Sequence, residues 1–344
     1  YISRSEGNRR KKILALSLVL NIGILVYFKY ANFIVDNLYL QQMGISWTAV
    51  VLPIGISFFS FQSMSYSLDV YRKTARPLDK LSEYLVYILS FPQMIAGPIV
   101  RFTEVEKELR DRTVLHEDFL NGFYRFSLGL FKKVLIANTL ASVFPLDNLT
   151  LIALDGWSSP QAFVSILAYT FQIYFDFSAY SDMAIGLGAM LGFKFPENFN
   201  QPYKAQSITD FWRRWHITLS SWMRDYLYIP LGGNRTGSEA RLYTNLVIVF
   251  SVSGIWHGAS WNFVVWGLLH GILLLINHFL SSNKHIETLF IRFPKPMKLL
   301  GWFTTQYMVF FTWLIFRIED TQMLVRSMKT FVGIDSYFDC KEMF

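Results

Sequence analysis

Cysteine and charge are both scarce in this 344-residue sequence. Cys340 is its one cysteine, so an internal disulfide, a cysteine-based zinc site and a CxxC redox pair are excluded. The sequence contains no GxGxxG, Walker-type or GxSxG motif and no HxxxH spacing, so nucleotide-binding-fold, serine-hydrolase and metal-site interpretations lack support. Only 17% of the residues are charged, whereas soluble domains contain about a quarter.

Apolar and aromatic residues are abundant instead. Hydrophobic residues make up 52% of the chain and aromatic residues 17%, a composition typical of a protein that meets lipid and keeps rings at its interfaces. The net charge of +7 raises the question of nucleic acid. However, the basic residues alternate with apolar segments and form no single stripe, which favours inside-positive membrane loops. We therefore expect a lipid bilayer and no nucleic acid as a partner.

Several apolar runs approach the roughly 20 residues that a membrane-spanning helix requires. The sequence predicts such segments at 13–30, 48–68, 119–144, 161–191, 242–257, 261–280 and 299–316. Segment 161–191 would run about 46 Å as one helix, so we expect it to be tilted or divided near Gly186 and Gly188. Residues 81–100 contain Pro92, Gly97 and Pro98, which favours a bent or re-entrant segment.

The distribution of lysine and arginine predicts the topology. Residues 31–46 and 145–160 contain neither and are expected outside, whereas 69–80, 192–241 and 281–298 are basic and expected in the cytoplasm. The predicted fold is all-α, a multi-pass integral protein of the cell (inner) membrane, with 1–344 as one transmembrane domain.

The segment 211–235, FWRRWHITLSSWMRDYLYIPLGGNR, gathers three tryptophans, four arginines and His216 in the basic connection. The spacing of Ser207 and Asp210 predicts a helix start, and the resulting helix would place Trp212, His216 and Ser220 on one face. Two interpretations are open. The segment is either an interfacial belt in which His216 merely forms a hydrogen bond, or the floor of a reaction site.

A second histidine lies in SGIWHGASWNF, at the predicted outer end of a span. Small neighbours such as Gly258 allow a substrate to approach His257, and neutral imidazole is a common general base. The alternative is a histidine that caps a helix end. For His270, in WGLLHG, a satisfied core histidine is favoured over a supporting role at the site.

Acidic residues lie within the apolar segment QIYFDFSAYSDMAIGLG. Asp176 and Asp182 would either relay protons, as in a transporter, or pair with the arginines of 211–235. We favour the structural ion pairs. Lys132 and Lys133 interrupt another apolar segment, which suggests an oblique helix or a wet interior.

Four sequence blocks resemble the membrane-bound O-acyltransferase (MBOAT) superfamily, in the bacterial branch of alginate O-acetyltransferases. They are FPQMIAGPIVRF, QIYFDFSAYSDMAIGLGAMLGF, PENFNQPYKAQSITDFWRRWHITLSSWMRDYLYIPLGGNR and GIWHGASWNFVVWGLLHG. The resemblance implies a ring of helices around a central funnel or tunnel, with His257 of the WHG motif catalytic and His216 of the WRRWH motif the second important histidine. It also implies hydrophobic segments before Tyr1 and further chain after Phe344, so we expect this chain to be incomplete.

This resemblance implies an O-acyltransferase that passes acetyl groups across the membrane. The donor would be cytosolic, acetyl-CoA or another acyl donor, with no tightly bound cofactor and no metal. The acceptor would be an extracytoplasmic polysaccharide, served by a periplasmic or extracellular acyl-transferring partner protein. The residues expected to shape the donor mouth are Trp212, Trp215, Arg213 and Arg214, although the arginines of the segment have an alternative in pairing with Asp210 and Asp225.

Three other functions remain open at this point. The related branch that moves D-alanine to teichoic acids shares the two histidines, although the YIPLGGNR run resembles the acetyltransferase branch more closely. A secondary transporter would use Asp176 and Asp182 and would predict internal pseudo-symmetry, which the sequence does not show. A non-catalytic scaffold for a polysaccharide synthase would leave the two histidines unexplained.

Overall fold

The computed structural model describes residues 2–143, 159–235 and 237–332, and every regular element in those ranges is helical. The prediction of an all-α fold is confirmed. The predicted outer loop 145–160 lies almost entirely outside the described residues, as does Cys340.

The chain divides into two compact units. The first comprises Tyr1–Leu130, Tyr180–Asn198 and Thr218–Pro230, and the second comprises Phe131–Ala179, Phe199–Ile217 and Leu231–Phe344. Up to the first gap, the helices are a 3-10 helix (Ile2–Arg4), α1 (Gly7–Asn37), α2 (Ile56–Arg72), α3 (Leu81–Ile88), α4 (Phe91–Met94), α5 (Phe102–Arg110), α6 (His116–Phe131), a π-helical stretch (Lys132–Ala137) and α7 (Asn138–Val143).

The remaining helices follow after that gap. They are α8 (Ser159–Met190), a 3-10 helix (Pro202–Lys204), α9 (Ile208–Trp212), α10 (Ile217–Met223), a π-helical stretch (Arg224–Tyr228), α11 (Glu239–His257), α12 (Trp261–Ser281), α13 (Lys284–Arg292), α14 (Pro294–Arg317) and α15 (Thr321–Val332).

Four helical stretches among the described residues are long and apolar enough to cross a membrane. They are Gly7–Asn37, His116–Val143, Trp261–Ser281 and Pro294–Arg317. The chain is therefore a membrane protein. The predicted segment 48–68 becomes helical only at Ile56, because Gly55 adopts a left-handed conformation with φ of 78°, and the resulting α2 has 17 residues.

Helix α8 runs unbroken for 32 residues, so the alternative of a division near Gly186 and Gly188 is wrong. Gly186 and Gly188 permit close packing against the helix and do not interrupt it. A Cβ added at Gly186 would lie 2.5 Å from the carbonyl oxygen of Gly122, and one at Gly188 would lie 2.7 Å from the ring of Phe195. The glycines let neighbouring backbone and side chains approach this helix closely.

The interruption predicted within 81–100 is confirmed. Helices α3 and α4 are short, and the chain is irregular from Ile95 to Val100. This irregular backbone is buried in protein: Ile99 N donates to Thr218 Oγ1 at 2.9 Å, and Tyr87 Oη donates to Val100 O at 2.9 Å. Those bonds satisfy polar groups that a helix would have satisfied internally.

Candidate active site

The segment that carries His216 is two short helices and not one. Ser207 Oγ accepts a hydrogen bond from Asp210 N at 3.1 Å and so starts α9, as predicted. The helix ends after Trp212, and His216, four residues later, has a φ of 44° outside the right-handed region, so no single helix runs through this segment. Arg214 O accepts from Asn200 N at 2.9 Å, outside any helix. The predicted common face of Trp212, His216 and Ser220 on one continuous helix is therefore wrong.

The tryptophans of this segment lie in the core of the second unit. Trp212 and Trp215 are only 7% and 4% exposed. Trp212 packs against Trp266 at 5.7 Å between ring centroids, and Trp215 against Trp313 at 4.8 Å. An interfacial belt would turn these rings outward, so that interpretation is wrong for Trp212 and Trp215.

The two arginines of WRRWH differ in their surroundings. Arg214 Nε lies 2.8 Å from Asp210 Oδ1, and its Nη1 donates to Asn200 O at 3.3 Å. Arg224 Nε likewise lies 2.7 Å from Asp225 Oδ1, so the alternative of pairing with Asp210 and Asp225 is confirmed for Arg214 and Arg224. Arg213 is exposed.

His257 is the last residue of α11 and is surrounded by aromatic rings. Its ring centroid lies 5.1 Å from that of Trp256, 5.1 Å from Trp266 and 5.2 Å from Phe316. Helix α12 approaches closely, because a Cβ added at Gly254 would lie 2.3 Å from Phe263 O. The imidazole is partly exposed, so it combines a fixed aromatic frame with access for a reactant.

The structure brings both histidines against one indole. The ring of His216 lies 6.1 Å from that of Trp256, the residue next to His257, and packs edge-to-face against Phe177 at 4.7 Å. His216 is 1% exposed. Burial, and secondarily the nearby His257, lowers the pKa of His216 well below its usual range. The His216 imidazole is therefore neutral at physiological pH.

His270 is fully bonded within the core. Its Nδ1 accepts from Trp212 Nε1 at 3.2 Å, so the other ring nitrogen, Nε2, carries the proton of the neutral ring. Nε2 lies 3.1 Å from Thr312 Oγ1, which itself donates to Val309 O at 2.8 Å. The prediction of a satisfied core histidine is confirmed.

Asp176 and Asp182 form ion pairs, as favoured from the sequence, but with other partners than predicted. Lys133 Nζ lies 2.6 Å from Asp176 Oδ1, and Arg125 Nη2 lies 2.8 Å from Asp182 Oδ1. Arg125 also binds Glu197. Arg125 lies on α6 and Lys133 in the π-helical stretch after it, so the basic partners do not come from 211–235. Each basic residue lies in the same unit as its acidic partner.

Sequence reasoning missed Trp266 and Phe316, which pack directly against His257. One sequence pattern could have identified Trp266. It lies between Asn262 and His270 at intervals of four residues, which places three polar side chains on one face of α12. Phe316 comes from a different helix, α14, and nothing in its local sequence distinguishes it from other apolar residues.

The helices and the two histidines define an all-α membrane protein in which aromatic rings surround the imidazoles of His216 and His257. Among the described residues, no group of three or more histidine, cysteine, aspartate or glutamate side chains is placed to hold a metal ion. The sequence profile of the MBOAT, membrane-bound O-acyltransferase family matches residues 8–318. The chain belongs to this family.

Curated relatives share much of the sequence. A protein named "Probable alginate O-acetylase AlgI" from Pseudomonas aeruginosa is 45% identical over 318 residues, which cover 91% of this chain and 59% of the relative. A peptidoglycan O-acetyltransferase from Helicobacter pylori is 38% identical over 370 residues, covering 98% of this chain and 68% of the relative.

A more distant relative is a teichoic acid D-alanyltransferase from Bacillus subtilis. It is 27% identical over 246 residues, which cover 69% of this chain and 62% of the relative. The chain spans only 59% and 61% of the length of the alginate relatives from Pseudomonas aeruginosa and Azotobacter vinelandii.

Proposed function

We propose that the protein carrying this chain is a membrane O-acetyltransferase, which passes acetyl groups from a cytosolic donor across the cell (inner) membrane to an extracytoplasmic polysaccharide. Family membership and the alginate and peptidoglycan relatives support this function. The single structural observation that carries it is the placement of the His216 and His257 rings against Trp256. Apolar helices support a chain that crosses the bilayer several times.

In this proposal His257 is the general base. Its imidazole accepts the proton of the attacking hydroxyl, which belongs either to the sugar or to a serine of a periplasmic partner protein. General-base catalysis by a positioned side chain contributes on the order of 10² to 10⁴ in rate. His216, buried and neutral, contacts the acyl carrier and holds it for attack.

Acetyl-CoA is the proposed donor. The indoles of Trp212 and Trp215 are buried, so they support the wall of the site from within the core and do not themselves form an exposed mouth. Arg213 is exposed, whereas Arg214 is held by Asp210. We therefore assign the contact with the donor phosphates to Arg213.

The test compares two histidines in the whole protein. His257→Ala is expected to reduce the acetyl content of the secreted glycan by about 10² or more, because the general base is lost. His285→Ala is the matched control, since His285 is exposed on α13, and it is expected to retain full acetylation. Membrane blots establish that both variants reach the same level. Normal acetylation by His257→Ala would contradict the mechanism.

D-alanyl transfer to a cell-wall polymer is the second candidate, and the teichoic acid relatives favour it. Acetyl transfer is the first candidate, supported by an identity of 45% to the alginate relative against 27% to the D-alanyl relative. Mass spectrometry of the modified polymer distinguishes them directly, because an acetyl ester and a D-alanyl ester differ in mass.

A further inference from the structure

Helix α12 presents a line of polar side chains toward the protein interior. Asn262, Trp266 and His270 follow one another at intervals of four residues, so they share one face. They are 5%, 1% and 1% exposed. Three buried polar residues on a helix of an apolar protein require hydrogen-bond partners, because a buried polar group without one costs about 1–3 kcal/mol.

Most of these polar atoms have protein partners. Both ring nitrogens of His270 are bonded, and Asn262 Nδ2 donates to Phe316 O at 3.3 Å. Two atoms remain. Asn262 Oδ1 and Trp266 Nε1 are buried and have no hydrogen-bond partner within the described part of the chain. One is an acceptor, and the other, an indole N–H, is only a donor.

The donor lies beside the proposed general base. The Trp266 ring meets the His257 ring edge-to-face, with centroids 5.1 Å apart and planes at 87°. Phe316 contacts both rings, at 5.2 Å from His257 and 5.3 Å from Trp266. The ring that carries this N–H therefore contacts the imidazole in an aromatic, apolar setting, where a hydrogen bond to a developing charge is stronger than in water.

The Trp266 ring is also held firmly. It packs against the ring of His270 at 4.7 Å and stacks on Trp313 at 6.4 Å with planes 18° apart. The bonds of His270 to Trp212 and Thr312 fix its imidazole in turn. A donor that is already oriented loses little freedom when a charge forms beside it, which is the condition for effective transition-state stabilisation.

We propose that Trp266 is a catalytic residue, whose Nε1–H donates a hydrogen bond to the carbonyl oxygen of the acyl group during transfer. This role rests on the proposed O-acetyltransferase function. The acyl donor is a thioester, and the acceptor is a hydroxyl.

The hydroxyl oxygen forms a bond to the thioester carbonyl carbon while its proton passes to His257. The carbonyl π electrons move to oxygen, and Trp266 stabilises the resulting oxyanion. When the carbonyl re-forms, the C–S bond breaks and the thiolate takes the proton back from His257. The products are the acyl ester and the free thiol.

The test removes the indole N–H without changing the shape of the ring. Trp266 in the whole protein is replaced by β-(3-benzothienyl)alanine, which carries sulfur in place of the N–H, and acetyl transfer from acetyl-CoA is measured in membranes. Loss of one oxyanion donor is expected to lower kcat by about 10² to 10³. The KM for acetyl-CoA is expected to stay within about twofold, because the bond strengthens only in the transition state.

The same replacement at Trp302 is the matched control. Trp302 Nε1 donates to Tyr203 O at 2.8 Å, an ordinary structural bond, and the Trp302 ring packs against Phe303 at 4.7 Å between centroids. The control is expected to retain kcat. A kcat at Trp266 equal to that of the control would overturn the catalytic role while the proposed function stands. An unmodified protein that transfers no acetyl would overturn the proposed function and this role together.

Discussion

The indole Nε1 of Trp212 donates a hydrogen bond of 3.2 Å to Nδ1 of His270, and this bond joins α9 to α12 in the core of the second unit. Because an indole N–H is only a donor, the bond selects the tautomer of His270 that donates from Nε2 to Thr312. His270 therefore connects three helices without being positioned at the reacting atoms.

Replacing His270 by phenylalanine removes both bonds and keeps a ring of similar size. We expect His270→Phe to lower the free energy of unfolding by about 1–3 kcal/mol, because the buried N–H of Trp212 loses its acceptor. Thermal unfolding of the detergent-solubilised protein measures the change. The double variant with Trp212→Phe is expected to recover part of the loss, since the orphaned donor is gone. A double variant less stable than both single variants would contradict this account.

The backbone at His216 provides a second test. A non-glycine residue in the left-handed region costs about 1–2 kcal/mol, and asparagine tolerates this region better than most residues. His216→Asn is therefore expected to reach the membrane at the normal level while acetyl transfer collapses, because the imidazole beside Trp256 is lost. His216→Gly serves as a second backbone-compatible variant and is expected to behave in the same way. Full acetylation by either variant would show that the ring only fills space.

The proposed contact with the donor phosphates predicts different effects of replacing Arg213 and Arg214. Arg213→Gln is expected to raise the KM for acetyl-CoA several-fold with little change in kcat, because a phosphate contact remote from the reacting carbonyl binds ground and transition states equally. Arg214→Gln breaks the ion pair with Asp210 and is expected to leave that KM unchanged. Steady-state kinetics in inverted membrane vesicles give both constants. An equal rise in KM for both variants would argue against a specific role of Arg213.

The sequence predicted the long apolar helices and the locations of the polar clusters, because apolar run length and periodicity reflect burial directly. It did not predict the break at His216. The pattern from Trp212 to Ser220 is compatible with one helix, whereas in the structure Arg214 O accepts a tertiary hydrogen bond from Asn200 N. Periodicity carries no information on such bonds.

The partners of Asp176 and Asp182 were missed for a related reason. Several basic segments satisfy the requirement for a positive charge, and only the packing of helices selects Lys133 and Arg125. Trp266 was missed because an indole in an aromatic-rich chain resembles ordinary core. Its significance depends on which polar atoms remain without a partner after folding.

The pair between Lys133 and Asp176 has a consequence for biogenesis, because the two residues are 43 positions apart in the sequence. A ribosome makes the basic stretch well before the acid that neutralises it. An uncompensated lysine in lipid is costly, so stable insertion of α6 with its π-helical extension depends on the later arrival of α8. Glycosylation mapping of nascent chains truncated before and after residue 190 measures this dependence, and equal insertion of both lengths would disprove it.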